Sequence, residues 1–158
     1  LHRYPAVTVS VCNLRPESRG TVHISGSNAR AAPEIRPNYL STAGDRIVAA
    51  RSIRHARRLM RTRAISQFAP KEMLPGLEFQ SDDELIQRAG DIATTIFHPV
   101  GTCRMGSDDN AVVDQELRVR GVLGLRVVDA SVMPTIVSGN TNSPAIMIAE
   151  KAADMIAN

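Results

Sequence analysis

Residues 125–156 read LRVVDASVMPTIVSGNTNSPAIMIAEKAADMI. LRVVDASV is Val-rich and short, the pattern of a strand. MPTIVSGNTNSP is dense in Gly, Asn, Ser and Pro, the composition of a loop. From Ser143 onward the pattern turns helical. Ser143 is a good N-cap and Pro144 a good first residue, because proline's fixed φ suits that position and its missing N–H is not needed there. The polar positions cluster at Glu150, Lys151 and Asp154, and the apolar remainder predicts that most of this helix is buried.

Working upstream, ELRVRGV forms a second short strand, and Gly121 and Gly124 in the link suit a tight hairpin connection. Before it stands FHPVGTCRMG, residues 97–106. A helix is predicted to run into that stretch: Ser81 and Glu84 form a capping box, and Leu85, Ala89, Ile92 and Ile96 share one face. Pro99 ends it, since a residue before proline is pushed out of the α region. His98 is thus expected just past a helix end, at the start of an irregular loop, where side chains are exposed yet held from behind.

Further upstream, the linker APKEMLPGLEF follows a helix predicted from a Thr42/Asp45 capping box to about Ala64. Its apolar stripe is Ala49, Ile53, Ala56 and Met60; the opposite stripe, Arg51, Arg54, Arg58 and Arg61, is expected to be a solvated face. The first stretch, VTVSVCNLRPESRGTVHIS, alternates Val7, Val9 and Val11 with polar residues and predicts a β-hairpin with Thr21–Ile24 as its second strand. A loop containing Pro33 and Pro37 follows.

The 158 residues suffice for one ordinary domain, and 43% hydrophobic with 22% charged residues excludes a disordered chain. Aromatic residues make up only 3% and there is no Trp, so the core falls to Val, Ile, Leu, Met and Ala. A net charge of +3 is no nucleic-acid footprint, although 17 of the 19 basic residues are arginine, the exceptions being Lys71 and Lys151. No apolar run approaches the roughly 20 residues of a transmembrane helix. Cys12 and Cys103 are expected as two free thiols in a reducing, cytoplasmic setting. With no initiating Met and a start inside a strand-like pattern, residue 1 is expected to be an internal position of a longer protein.

Three roles compete for His98 on its residues alone: a packed core histidine, a ligand or thiol activator paired with Cys103, and a catalytic base. The second is weakest. His2, His23 and His55 lie in other elements, so a zinc set of three or four ligands does not assemble, and no metal site is expected. A Cys-His nucleophile lacks an orienting third group. Asn140 and Asn142 carry two readings as well: turn and cap geometry, or polar groups at a helix N-terminus able to hold developing negative charge. Cys103 needs no chemistry beyond packing, and Arg104 is expected to anchor its loop by an ion pair.

FHPVGTCRMG, taken with LRVRGVLGLRVVDASVMPTIVSGNTNSPAIMIAEKAADMI, resembles the C-terminal motifs of the glucose-methanol-choline (GMC) oxidoreductases, FAD-dependent alcohol oxidases and dehydrogenases. The likeness is strongest to the choline dehydrogenase branch and its alcohol-dehydrogenase relatives. SVCNLRPESRGTVHIS and IRPNYLS resemble that family's substrate-domain strand and loop, so the likeness covers most of the chain.

The resemblance implies a mixed α+β fold class: a C-terminal fragment that combines part of an antiparallel-sheet substrate domain with the closing strand and helix of an FAD-binding domain. Residues 1–80 would be the substrate-domain part, and 81–158 the catalytic loop and the C-terminal part of the FAD-binding domain. It implies that His98, in H-P-x-G-T, is the general base above the flavin, and that Asn140 is the second active-site position. Asp129 and Ala130 would contact the ribityl and phosphate region; Asn142, with Ser143 and Pro144, would face the pyrimidine side of the flavin ring.

The chemistry agrees with that assignment. Alcohol oxidation removes a proton from oxygen and a hydride from carbon, and hydride goes to flavin N5. A neutral imidazole, with an ordinary pKa of roughly 6.5, can take the proton, and a positioned base contributes about 10² to 10⁴ in rate. The G-x-G-x-x-G dinucleotide fingerprint is absent from these residues, so this stretch alone is expected to bind FAD weakly and not to turn over. The implied partners are a small alcohol and the N-terminal FAD-binding part of the same enzyme, with surfaces that invite dimerisation. Choline is the leading substrate; another primary alcohol is the alternative within enzymes, and a non-catalytic interaction domain retaining the motif is the alternative outside them.

Overall fold

The computed structural model describes residues 3–157. It is a mixed fold: four α-helices and one small antiparallel sheet, in the order β1 (Thr21–His23), β2 (Glu34–Arg36), α1 (Ala43–Met60), α2 (Arg63–Ser66), α3 (Asp82–Ile92), a 3-10 turn (Ala130–Val132) and α4 (Asn142–Ala157). The chain folds as two compact units that interleave in sequence. The residues up to Gly20 join Pro37–Thr94 in one, and Thr21–Arg36 joins the residues from Thr95 onward in the other.

In the first unit, α1 packs on α3, and Ala50 of α1 and Leu85 and Ala89 of α3 are buried. Both helices start as the sequence prescribes. Thr42 Oγ1 accepts from Asp45 N, and at α3 the full capping box forms, Ser81 Oγ accepting from Glu84 N and the Glu84 carboxylate from Ser81 N. At α1 the box is only half made, because the Asp45 carboxylate is used elsewhere. It accepts from Asn13 Nδ2 and from the backbone N–H groups of Glu17 and Ser18, at 3.0, 3.0 and 2.7 Å.

That use of Asp45 corrects the expected hairpin over residues 7–24. No strand forms at Val7–Cys12; instead the segment leading to Gly20 is held by the carboxylate clasp at Asn13, Glu17 and Ser18. The strand Thr21–His23 pairs instead with Glu34–Arg36, between the two prolines of the expected loop, in the register Thr21↔Arg36, Val22↔Ile35 and His23↔Glu34.

The arginine stripe of α1 is solvated as expected at Arg51, Arg58 and Arg61, all exposed, and Arg54 is half-exposed. Arg54 pairs with Asp82 at the start of α3 and donates to the Gln80 carbonyl. Arg57, which lies outside both expected stripes, is 8% exposed and grips the linker: it pairs with Glu72 and donates to the carbonyls of Gly76 and Phe79. Helix α1 ends at Met60, short of Ala64, and a separate turn of helix, α2, follows Thr62. Helix α3 ends at Ile92, because Ala93 is already extended at φ −70° and ψ 153°. Ile96 is therefore outside the helix, and His98 does not abut its end.

In the second unit, Val113, Leu117, Val132, Met133, Ile148 and Ala152 form the core. The two strands expected at ELRVRGV and LRVVDASV are reduced to isolated bridges, Val113↔Val119 and Arg118↔Arg126, with Gly121 and Gly124 both at positive φ in the turn between. The end of LRVVDASV is a 3-10 turn because the Asp129 carboxylate accepts from Ser131 N and so caps it. Helix α4 begins at Asn142, one residue before the expected N-cap, and buries only Ile148 and Ala152 fully; Ile146, Met147 and Ile156 are exposed, against the expectation of a mostly buried helix.

Burial would raise the pKa of Asp45, but the bonds from the Ser18 hydroxyl, the Glu17 and Ser18 backbone and Thr42 outweigh it and hold the carboxyl below its ordinary value. Asp45→Ala is expected to destabilise this unit by about 2–3 kcal/mol, because two backbone donors lose a charged acceptor. The clasp should be complete above the unfolded-chain carboxyl pKa of roughly 3.9 and fade as pH falls through the lower folded value. Amide hydrogen exchange at Glu17 and Ser18 measures both; protection unaltered by the substitution would contradict the clasp.

Candidate functional site

The residues singled out by sequence lie in the second unit, on three segments: 97–106, 129–134 and 140–144. The first is brought onto the second by backbone alone. Cys103 N donates to Ser131 O at 3.1 Å and Met105 N to Val132 O at 2.8 Å. Gly101 makes that approach feasible: its φ is +87°, and a Cβ there would stand 3.4 Å from Met133 O. The far end of the loop is tied down by Arg104, whose guanidinium meets both oxygens of Asp108 at 2.8 and 2.5 Å. That hydrogen-bonded pairing, with the Asn110 N–H added, holds the Asp108 carboxyl well below the usual carboxylate range. The ion-pair expectation for Arg104 is met.

The near end turns sharply. Phe97 is left-handed at φ 63°, a conformation that is costly for a bulky residue, and its N–H is accepted by Thr95 Oγ1 at 3.1 Å. The turn leaves Phe97 78% exposed and His98 half-buried. His98 Nδ1 then lies 3.0 Å from Thr141 Oγ1. The motif histidine is thus held at the start of α4, by the residue that follows Asn140 and precedes Asn142.

Thr141 is the N-cap of α4: its carbonyl accepts the first helical bond, from Ala145 N at 3.0 Å. It is 8% exposed, whereas Asn140, Asn142 and Ser143 are exposed and Pro144 is half-buried. The N–H groups of Asn142 and Ser143 precede that first bond and stand outside the helical ladder. Asp129, exposed, caps the 3-10 turn with one carboxylate oxygen, and Ala130 packs against the core. Ser131 Oγ is buried with no hydrogen-bond partner among the described residues.

Sequence reasoning passed over Thr141 and Ser131. A local signal for Thr141 exists: a threonine three residues before a proline at a helix start is an N-cap whose N3 position has no N–H to offer. Cys12 and Cys103 are both free thiols. No group of three His, Cys, Asp or Glu that could hold a metal occurs among the described residues, and no helix there is long and apolar enough to cross a membrane.

The family model described as GMC oxidoreductase matches residues 16–149. An alcohol dehydrogenase (acceptor) of Pseudomonas putida is 45% identical over 149 residues, which is 94% of this chain and 27% of that protein. An oxygen-dependent choline dehydrogenase of Pseudomonas fluorescens is 46% identical over 144 residues, 91% of this chain and 25% of that protein. Among solved structures, an FAD-dependent oxidoreductase from Chaetomium thermophilum superposes with a TM-score of 0.85 at 33% identity, over 90% of this chain and 25% of that one. Pyridoxine 4-oxidase from Mesorbium loti gives 0.82 at 37%, over 89% and 28%. The chain spans about a quarter of the length of the curated relatives it matches. Sequence motifs, fold and relatives agree: the chain belongs to the GMC oxidoreductase family.

Proposed function

We propose that the chain is the C-terminal part of an FAD-dependent alcohol oxidoreductase of the choline dehydrogenase type, and that it carries the catalytic base. The observation that carries this reading is the contact of His98 Nδ1 with Thr141 at the start of α4, which ties the H-P-x-G-T loop to the S-G-N-T-N loop across 43 residues of sequence. A histidine packed as an inert core residue would be buried, whereas His98 sits half-exposed beside a strained turn.

FAD fits the residues present. Ser131 Oγ is a buried polar atom that the described residues leave unpartnered, and it stands beside Asp129 and Ala130, in the segment assigned to the ribityl and phosphate region. The N–H groups of Asn142 and Ser143, with the positive end of the α4 dipole, suit the electron-rich edge of a flavin, and Pro144 fixes the backbone there. When bound, FAD supplies the hydride acceptor. The side chains do the rest: His98 takes the hydroxyl proton of the alcohol, and Asn140 donates a hydrogen bond to the same oxygen without competing for that proton.

In the whole enzyme, residues 1–80 serve the substrate part and 81–158 complete the FAD-binding part, with the remaining cofactor cradle supplied from outside these residues. Choline is the leading substrate. A quaternary ammonium is bound by aromatic or acidic cages. Of the aromatic residues here, Phe97 adjoins His98, and Phe79 is taken by the Arg88 guanidinium 4.2 Å above its ring. Most of the cage therefore belongs to the rest of the enzyme. The second reading, another primary alcohol, draws on the similarity to the Pseudomonas putida alcohol dehydrogenase.

In the full-length enzyme, His98→Ala is expected to lower kcat by about 10² to 10⁴ with flavin still bound; an unchanged rate removes the base. Steady-state kinetics with choline against simple alcohols separates the two substrate readings. The 158-residue chain by itself is expected to show no stoichiometric oxidised-flavin absorbance, and a full flavin band would overturn that expectation.

A further inference from the structure

Four helix starts among the described residues carry a hydroxyl residue at the N-cap. Thr62 of α2 makes no side-chain cap bond and donates its hydroxyl to Leu59 O, while two of the others use theirs in the same way. Thr42 Oγ1 accepts from the N–H of Asp45, and Ser81 Oγ from that of Glu84, each three residues on. At α4 the residue three beyond Thr141 is Pro144, which has no N–H. The acceptor capacity that Thr42 and Ser81 spend on their own helices is therefore not drawn by that position in α4. The Thr141 hydroxyl faces His98 Nδ1 at 3.0 Å instead.

We propose that Thr141 is a positioning residue: its Oγ1 accepts the Nδ1–H of His98 and so holds the imidazole as the tautomer whose Nε2 bears the lone pair. This rests on the reading above, that His98 takes the substrate proton. A neutral imidazole has one N–H, so the nitrogen that receives a proton must be the other one, and whichever partner fixes the first determines the second. Were the threonine to donate instead, Nε2 would carry hydrogen and could not accept.

The placement suits that task. Thr141 is 8% exposed, its carbonyl is locked into the first turn of α4 by Ala145 N, and its branched Cβ restricts χ1. The imidazole is thereby oriented from a helix rather than from its own loop, which turns through the left-handed Phe97 just before it. The substitution that separates this role from cap stability is Thr141→Val, which keeps shape and removes the acceptor. Thr141→Ser keeps the hydroxyl.

The test uses the full-length enzyme with 15N-labelled histidine, the His98 signals being those lost in His98→Ala. At a pH where the ring is neutral, wild-type enzyme and Thr141→Ser should show a protonated Nδ1 and an unprotonated Nε2, and Thr141→Val should show a mixture or the reverse. In kinetics, Thr141→Val should lose about 10- to 100-fold in kcat with KM little changed and flavin content retained, and Thr141→Ser should recover most of it. An Nε2–H tautomer in the wild type, or a wild-type kcat and tautomer in Thr141→Val, overturns the inference while the catalytic reading of His98 stands. An unchanged rate in His98→Ala overturns that reading instead, and the tautomer still reports separately on what Thr141 does.

Discussion

Two main-chain hydrogen bonds, from Cys103 N to Ser131 O and from Met105 N to Val132 O, hold the loop after His98 along the stretch that contains Asp129 and Ala130. The first segment contains no helix or strand, only a bridge from Met105 to Val113, and the second is a single 3-10 turn ending in an extended Met133. Backbone groups withdrawn from water without such pairing carry a desolvation penalty, and these two bonds satisfy the Cys103 and Met105 donors. The buried Val132 and Met133 then join Ile148 and Ala152 of α4 in one core. The loop, the turn and the helix start are consequently one assembly, and the spacing of the side chains they present follows from backbone geometry.

Within that assembly the sequence is legible where the signal is local. The N-caps at Thr42 and Ser81 were readable because a cap and its N3 partner sit within one turn, and both form. The strand partner of Thr21–His23 was not, because two candidate segments flank it and period-two alternation at Val7, Val9 and Val11 favours the wrong one. Asp45, a long-range acceptor with no periodic signature, takes the backbone donors of Glu17 and Ser18 in what the hairpin reading makes its turn. The end of α3 was misread for a related reason. Ile96 continues the apolar spacing of the helix, but the chain is extended from Ala93 and passes through two β-branched threonines before it. The fold class and the loops that form the site were carried by long motifs; the tie between them, across 43 residues, leaves no periodic trace.

The first unit shows how a chain so poor in aromatic residues stabilises its loops. Arg57 sits where the helix face would take an apolar residue, and its guanidinium satisfies Glu72 and two backbone carbonyls of the linker at once. Asp45 performs the mirror task with a carboxylate and backbone donors. Buried charges are costly unless they are well partnered, and here each meets several partners. Their gain is specificity of path: an apolar side chain at either position could be covered by many loop conformations, whereas these geometries accept one.

Helix α4 presents the converse case. Its sequence is apolar on most of its circumference, yet among the described residues only Ile148 and Ala152 are fully covered, while Ile146, Met147 and Ile156 face outward. A helix apolar nearly all round has two faces to bury, and this chain supplies material for one. On the reading proposed above, the remainder of the enzyme covers the second face. The helix would then be fixed from both sides, and with it Thr141 and the imidazole that Thr141 orients. The precision required of a proton acceptor would therefore be a property of the assembled protein, set by packing on a face that takes no part in the chemistry.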